Sequence, residues 1–157
     1  MLTELSLIQI LSKLNSAIIV SDNNGNFVFW NKRASKIIRL PEEYAPLDKW
    51  KYYFNVCNME NKVLEIEEYP LQRSLRGEVI VGEKLILSNV EDNEYIYIDV
   101  DSFPVYNKDN KMSGAVVVMS DVGEKVKLQN ILKEVSEKLD RIKDHLEMSL
   151  SSSNISN

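Results

Sequence analysis

Residues 95–107 read YIYIDVDSFPVYN, 108–112 KDNKM, 113–121 SGAVVVMSD and 122–124 VGE. β-Branched and aromatic residues dominate the first and third pieces, and Lys, Asp and Asn fill the second, so the stretch predicts strand, turn, strand. Asp121 then stands where an N-cap carboxylate accepts from the exposed amides of a helix's first turn. Glu124, three residues on, completes a capping box at the positive end of the helix dipole. A strand that feeds directly into a long helix can carry a change in a domain core to whatever that helix touches. Asp121 and Glu124 are therefore the expected signal-relay residues, and the arrangement points to a sensor or interaction module rather than a catalyst.

Downstream, the pattern predicts a helix over 122–150. Leu128, Leu132, Val135, Leu139, Ile142 and Leu146 recur at alternating spacings of four and three, a heptad seam with Leu132, Leu139 and Leu146 at a and Leu128, Val135 and Ile142 at d. The seam lasts about three heptads and predicts a coiled-coil homodimer, parallel or antiparallel. Residues 151–157 are Ser/Asn-rich and are expected to be a disordered tail.

Upstream, residues 1–15 are expected to form a flanking helix with Leu7, Leu11 and Leu14 on one stripe. Ala17–Asp22 and Phe27–Trp30 predict a hairpin around Asp22-Asn23-Asn24-Gly25-Asn26. Asn31 can cap a helix reaching Leu40, before Pro41. Residues 41–64 have no stable period and are expected to be short helical turns and loops. A helix is predicted over Glu67–Arg76, with Pro70 in its first turn and Gly77 just past its end. Strands follow at Val79–Asn89, Tyr95–Val105 and Ser113–Ser120. This order gives an α+β fold over residues 16–121, with a five-stranded antiparallel sheet and short helices on one face.

Bulk properties narrow the function classes. The chain has 157 residues, a net charge of −5 and 44% hydrophobic residues. The acidic balance and the lack of a basic run argue against nucleic-acid or anionic-membrane partners. No apolar run is long enough to span a bilayer, and MLTELSLIQI has no basic region of the kind that opens a signal peptide. The single cysteine, Cys57, forms no internal disulfide, which points to a cytoplasmic protein.

Catalytic signals are weak. His145 is the only histidine, which removes His-based triads and His-based zinc sites. Asp22–Asn26 superficially matches a calcium loop, but Phe27 and Arg33 occupy the positions that need Gly and Glu. Asp99 and Asp101 share a strand face with Tyr95, Tyr97 and Phe103, where solvation or a basic partner is the simpler role. No metal site and no enzymatic activity are expected.

In this order and spacing, several segments resemble the PAS domain, a sensory module of bacterial and archaeal signalling proteins. They are Asp22–Asn26, Trp30-Asn31-Lys32-Arg33-Ala34, Glu68–Glu78, Phe103-Pro104-Val105, Gly114–Val118 and Asp121-Val122-Gly123-Glu124. The likeness covers about residues 10–125. It departs from the family in two places. Gly123 replaces the usual Thr of the exit motif, weakening the first helical turn by up to about 1 kcal/mol. The turn Lys108–Lys111 lacks the Gly common there.

The resemblance implies a pocket between sheet and helices, walled by the aromatic stretch that holds Trp50, Tyr52, Tyr53 and Phe54. Aromatics there also serve simply as core. The expected pocket residues are Trp50, Tyr53, Phe54, Cys57 and Tyr97, and the cofactor is open. Haem through a histidine is not expected, because the helix at Glu67–Arg76 has none. A cysteinyl-flavin adduct is not expected either, because Asn58 follows Cys57 where that photosensor motif has Arg. His145-Leu146-Glu147-Met148-Ser149-Leu150 lacks the Pro and the basic residue of a phospho-accepting kinase helix. The resulting expectation is a homodimeric module of a two-component or related pathway. It binds a small ligand or partner and relays a change through its C-terminal helix to a downstream kinase or regulator domain. The alternative is a constitutive dimerisation module with a filled core.

Overall fold

The computed structural model describes residues 3–39 and 53–155. The elements in chain order are α1 (Glu4–Lys13), β1 (Ala17–Asp22), β2 (Phe27–Trp30), α2 (Lys32–Ile38), β3 (Phe54–Cys57), α3 (Pro70–Leu75), β4 (Ile80–Asn89), β5 (Tyr95–Tyr106), β6 (Met112–Asp121) and α4 (Gly123–Ile155). A 3-10 turn, Ile66–Glu68, precedes α3. The chain divides into two units, 1–122 and 123–157.

The six strands of the first unit form one antiparallel sheet in the order β2-β1-β6-β5-β4-β3. The sixth strand is a correction to the expected five. Phe54–Cys57 lies in the stretch read as turns and loops, yet it pairs with Ile86–Asn89 of β4. Four residues with Asn at the second position carry too little alternation to register as a strand, and the waiting edge of β4 supplies what local propensity lacks.

Inward positions alternate along the strands. Ile98 and Val100 of β5, Val117 and Met119 of β6 and Ile19 of β1 pack with Ile37 and Ile38 of α2 and Leu71 of α3. Each is less than a tenth exposed.

The turns share one device. Asp22 Oδ1 accepts from the amides of Asn24 and Asn26, at 2.9 and 3.0 Å. Asn58 and Asn107 each accept two amides, two and four residues on, in the same way. Partial burial of the Asp22 carboxyl opposes its ionisation, but hydrogen bonds from Asn26, Asn24 and Gly25 outweigh this and hold its pKa below the usual value. Asn110 takes φ 56°, so asparagine occupies the left-handed position for which the Lys108–Lys111 turn has no glycine.

Asn31 joins three elements. Its Oδ1 accepts from Ala34 N, capping α2, and from Ile18 N of β1, both at 3.0 Å. Its Nδ2 donates to Leu11 O and Ser16 O at 3.0 and 2.9 Å, holding the end of α1. The predicted cap is therefore present, though α2 ends at Ile38 and Arg39 turns left-handed with φ 55°.

Candidate functional site

Between the sheet and the helices lies an apolar cavity of about 50 Å³. Its sheet wall includes Leu85 and Leu87 of β4, Ile98 and Val100 of β5, and Val117 and Met119 of β6. Phe54 and Val56 of β3 continue that wall, and facing it are Ile38 of α2 and Tyr69, Pro70 and Leu71 at the start of α3. Tyr69 carries the one polar side-chain group among these lining residues. Burial pushes its phenol up, against a backbone hydrogen bond at Val56. A wall of this kind offers an occupant dispersion contacts and favours a small uncharged molecule over a polar one.

The wall at α3 is firmly held. Ser74 and Ser102, both fully buried, hydrogen-bond at 2.7 Å, and Ser102 Oγ also donates to Pro70 O. Arg73 donates from Nε to Glu78 at 2.9 Å and from one terminal nitrogen to Glu83 of β4 at 2.7 Å. Hydrogen bonding to Glu78, then to Glu83, raises the Arg73 pKa, while Arg73 holds Glu78 below the carboxylate range. At the opposite end, Arg39 pairs with Asp92 and Glu94 of the β4–β5 turn.

The expected pocket residues separate. Phe54 is in the cavity wall. Tyr53 is half-buried against the core and borders a surface cleft with Arg39, Asn89 and Glu91. Cys57 and Tyr97 are not among the residues that line this cavity. The cross-strand pairs Cys57↔Ile86 and Ile86↔Tyr97 run between the cavity-lining positions, so strand alternation turns all three toward the other face of the sheet. Burial pushes the Cys57 thiol up. Trp50 lies outside the described residues. Tyr69 and the inward strand residues were not singled out as pocket. Their two-residue period was visible, but an alternating apolar strand looks the same whether it walls a cavity or fills a core.

β6 carries Val117 and Met119 in the cavity and ends at Asp121, which pairs with Ile98. Val122 N then donates to Tyr97 O at 2.9 Å, and α4 begins at Gly123. That ladder bond carries the β6 pairing one residue past Asp121, so Asp121 and Glu124 flank the junction at which strand becomes helix.

α4 runs to Ile155, past the boundary expected at 150. Ser152 Oγ donates to Met148 O and Ser153 Oγ to Leu150 O, which lets serines remain helical where composition suggested a tail. Its seam residues Leu128, Leu132, Val135, Leu139, Ile142 and Leu146 are 48–67% exposed. α1 has no buried residue, and Leu5, Leu7, Ile8 and Ile10 on it and Leu14 just past its end are exposed. Among the described residues no cluster of His, Cys, Asp and Glu could hold a metal ion, and no helix is long and apolar enough to cross a membrane.

The family model described as PAS fold matches residues 7–122. No curated protein sequence matches the chain. Three solved structures illustrate the likeness in fold. The PAS domain of a protein from Colwellia psychrerythraea shares 16% identity and a TM-score of 0.52, over 74% of this chain and 93% of that one. The PAS domain of nitrogen regulation protein NR(II) from Vibrio parahaemolyticus shares 13% and 0.50, over 73% and 96%. The LOV domain of a blue-light activated histidine kinase from Erythrobacter litoralis shares 14% and 0.51, over 71% and 99%.

Proposed function

Because the chain belongs to the PAS family, a fold typical of sensory signalling domains, we propose that it is a sensory module whose core cavity takes a small apolar ligand and whose α4 is the output. The carrying observation is the continuity of β6: Val117 and Met119 line the cavity, and the same strand ends at Asp121, two residues before α4. Occupancy that shifts β6 would bias the first turn of α4 through Asp121 and Glu124, and Gly123 makes that turn easy to fray. The recipient is a downstream kinase or regulator domain, and no step requires a catalytic residue.

Val117→Ile adds a methylene where the cavity can take it and so imitates partial occupancy. Hydrogen exchange at residues 123–127 is expected to differ from wild type, with β2 unchanged, and Asp121→Ala is expected to abolish that difference. Equal exchange in α4 with and without the added methylene would sink the relay. That outcome would favour the second reading, a constitutive dimerisation module with a filled core. The size of the cavity supports this second reading, because about 50 Å³ is well below the roughly 300 Å³ at which ligand pockets usually begin.

We further propose that the protein pairs with itself through its exposed apolar flanks, α1 and the α4 seam. Leu139→Asp puts a charge into the seam and is expected to convert dimers to monomers in sedimentation at about tens of micromolar. A wild type that is already monomeric there removes this proposal.

A further inference from the structure

We infer that the α4 seam is a docking surface for a helix of another protein, an amphipathic helix whose apolar stripe is bordered by acidic residues. The inference rests on the reading of α4 as the output element and names the chemistry of its recipient. With Leu132, Leu139 and Leu146 at a, the flanking e positions between Leu128 and Leu146 hold Gln129, Ser136 and Lys143. The g positions hold Ile131, Lys138 and His145. None of the six is acidic. The acids of this stretch, Glu134, Glu137, Asp140 and Asp144, fall at c, f, b and f, away from the seam. Lys138, Lys143 and the seam itself are exposed.

Flank charges choose the partner of such a seam. In a parallel self-pair, g meets the following e, which sets Lys138 opposite Lys143 of a second copy. In an antiparallel self-pair, e meets e and g meets g, and again no acid is available. Self-pairing therefore draws on the apolar seam alone and meets like-charge repulsion at the lysines. A helix with Glu at its e and g positions keeps the apolar contacts and replaces each repulsion with an attraction. Such a helix would displace a second copy of α4, and that exchange is a means of output.

The test uses the full chain and two labelled synthetic peptides. Both are several heptads long with Ile at a and Leu at d. One has Glu and the other Lys at every e and g. Fluorescence anisotropy is expected to show the Glu peptide binding about tenfold more tightly or better, with the gap narrowing as salt rises. Lys138→Glu/Lys143→Glu should reverse the order, and Lys138→Gln/Lys143→Gln should level it, with α4 still helical by circular dichroism. Equal binding of the two peptides, binding of neither, or an order that survives the charge reversal would overturn the inference. The peptide order is independent of whether the cavity controls α4, so it can hold while the exchange experiment fails, and the reverse.

Discussion

Asn31→Ala is expected to destabilise the first unit by about 3 kcal/mol, well beyond the loss of a helix cap. Cap removal alone costs about 1 kcal/mol. Asn31 is 2% exposed, and its one side chain serves four backbone groups, in α1, the α1–β1 connection, β1 and α2. Alanine leaves the buried Ile18 N–H and the Leu11 and Ser16 carbonyls without that partner, at about 1–3 kcal/mol for each group that water cannot reach. The expected drop in Tm is roughly 10 °C. Asn31→Ser keeps a capping oxygen but is too short to span to α1, and should fall between. Amides of α1 should lose protection first, because nothing else on that helix is buried. If thermal unfolding places serine with wild type and alanine only about 1 kcal/mol below it, Asn31 acts only as a cap.

Gly114→Ala should be similarly damaging for an unrelated reason. A Cβ on Gly114 would stand 1.9 Å from the backbone oxygen of Ser21, across the β1–β6 ladder, where Asp22 pairs with Gly114. Backbone cannot swing aside as a side chain can, so β1 and β6 must separate where their ladder ends at Asp22 and Gly114. The expected cost is about 3 kcal/mol, the upper range for overpacking. Gly82→Ala is the informative control. Gly82 sits at the β4 irregularity with φ +64° and has nothing near its would-be Cβ. Alanine there meets only the left-handed penalty of about 1 kcal/mol. Equal urea midpoints for the two variants would show that the sheet yields at Gly114 and that close approach is not what requires glycine.

The fold was legible wherever a signal is local. Strands β5 and β6 could be read from alternating Val, Ile and Tyr, the α2 cap from Asn31, and α4 from its heptads, whereas α3, expected over Glu67–Arg76, runs only Pro70–Leu75 after a 3-10 turn at Ile66–Glu68. The shape of the cavity was not. Phe54 was legible as aromatic near the helices, but Cys57 and Tyr97 were grouped with it although strand pairing turns them to the other face. A one-residue offset decides which face a strand residue joins, and the partner strand sets that offset. β3 was missed for a related reason, since four residues become a strand only once β4 presents an edge. By itself the sequence determined the family, the order of the elements other than β3, and the α4 seam with its two flanking lysines, because composition and period carry these. Tertiary structure alone decided what Asn31 ties together, why residue 114 must be glycine, and which side chains enclose the cavity. Each of these depends on distances between segments far apart in the chain.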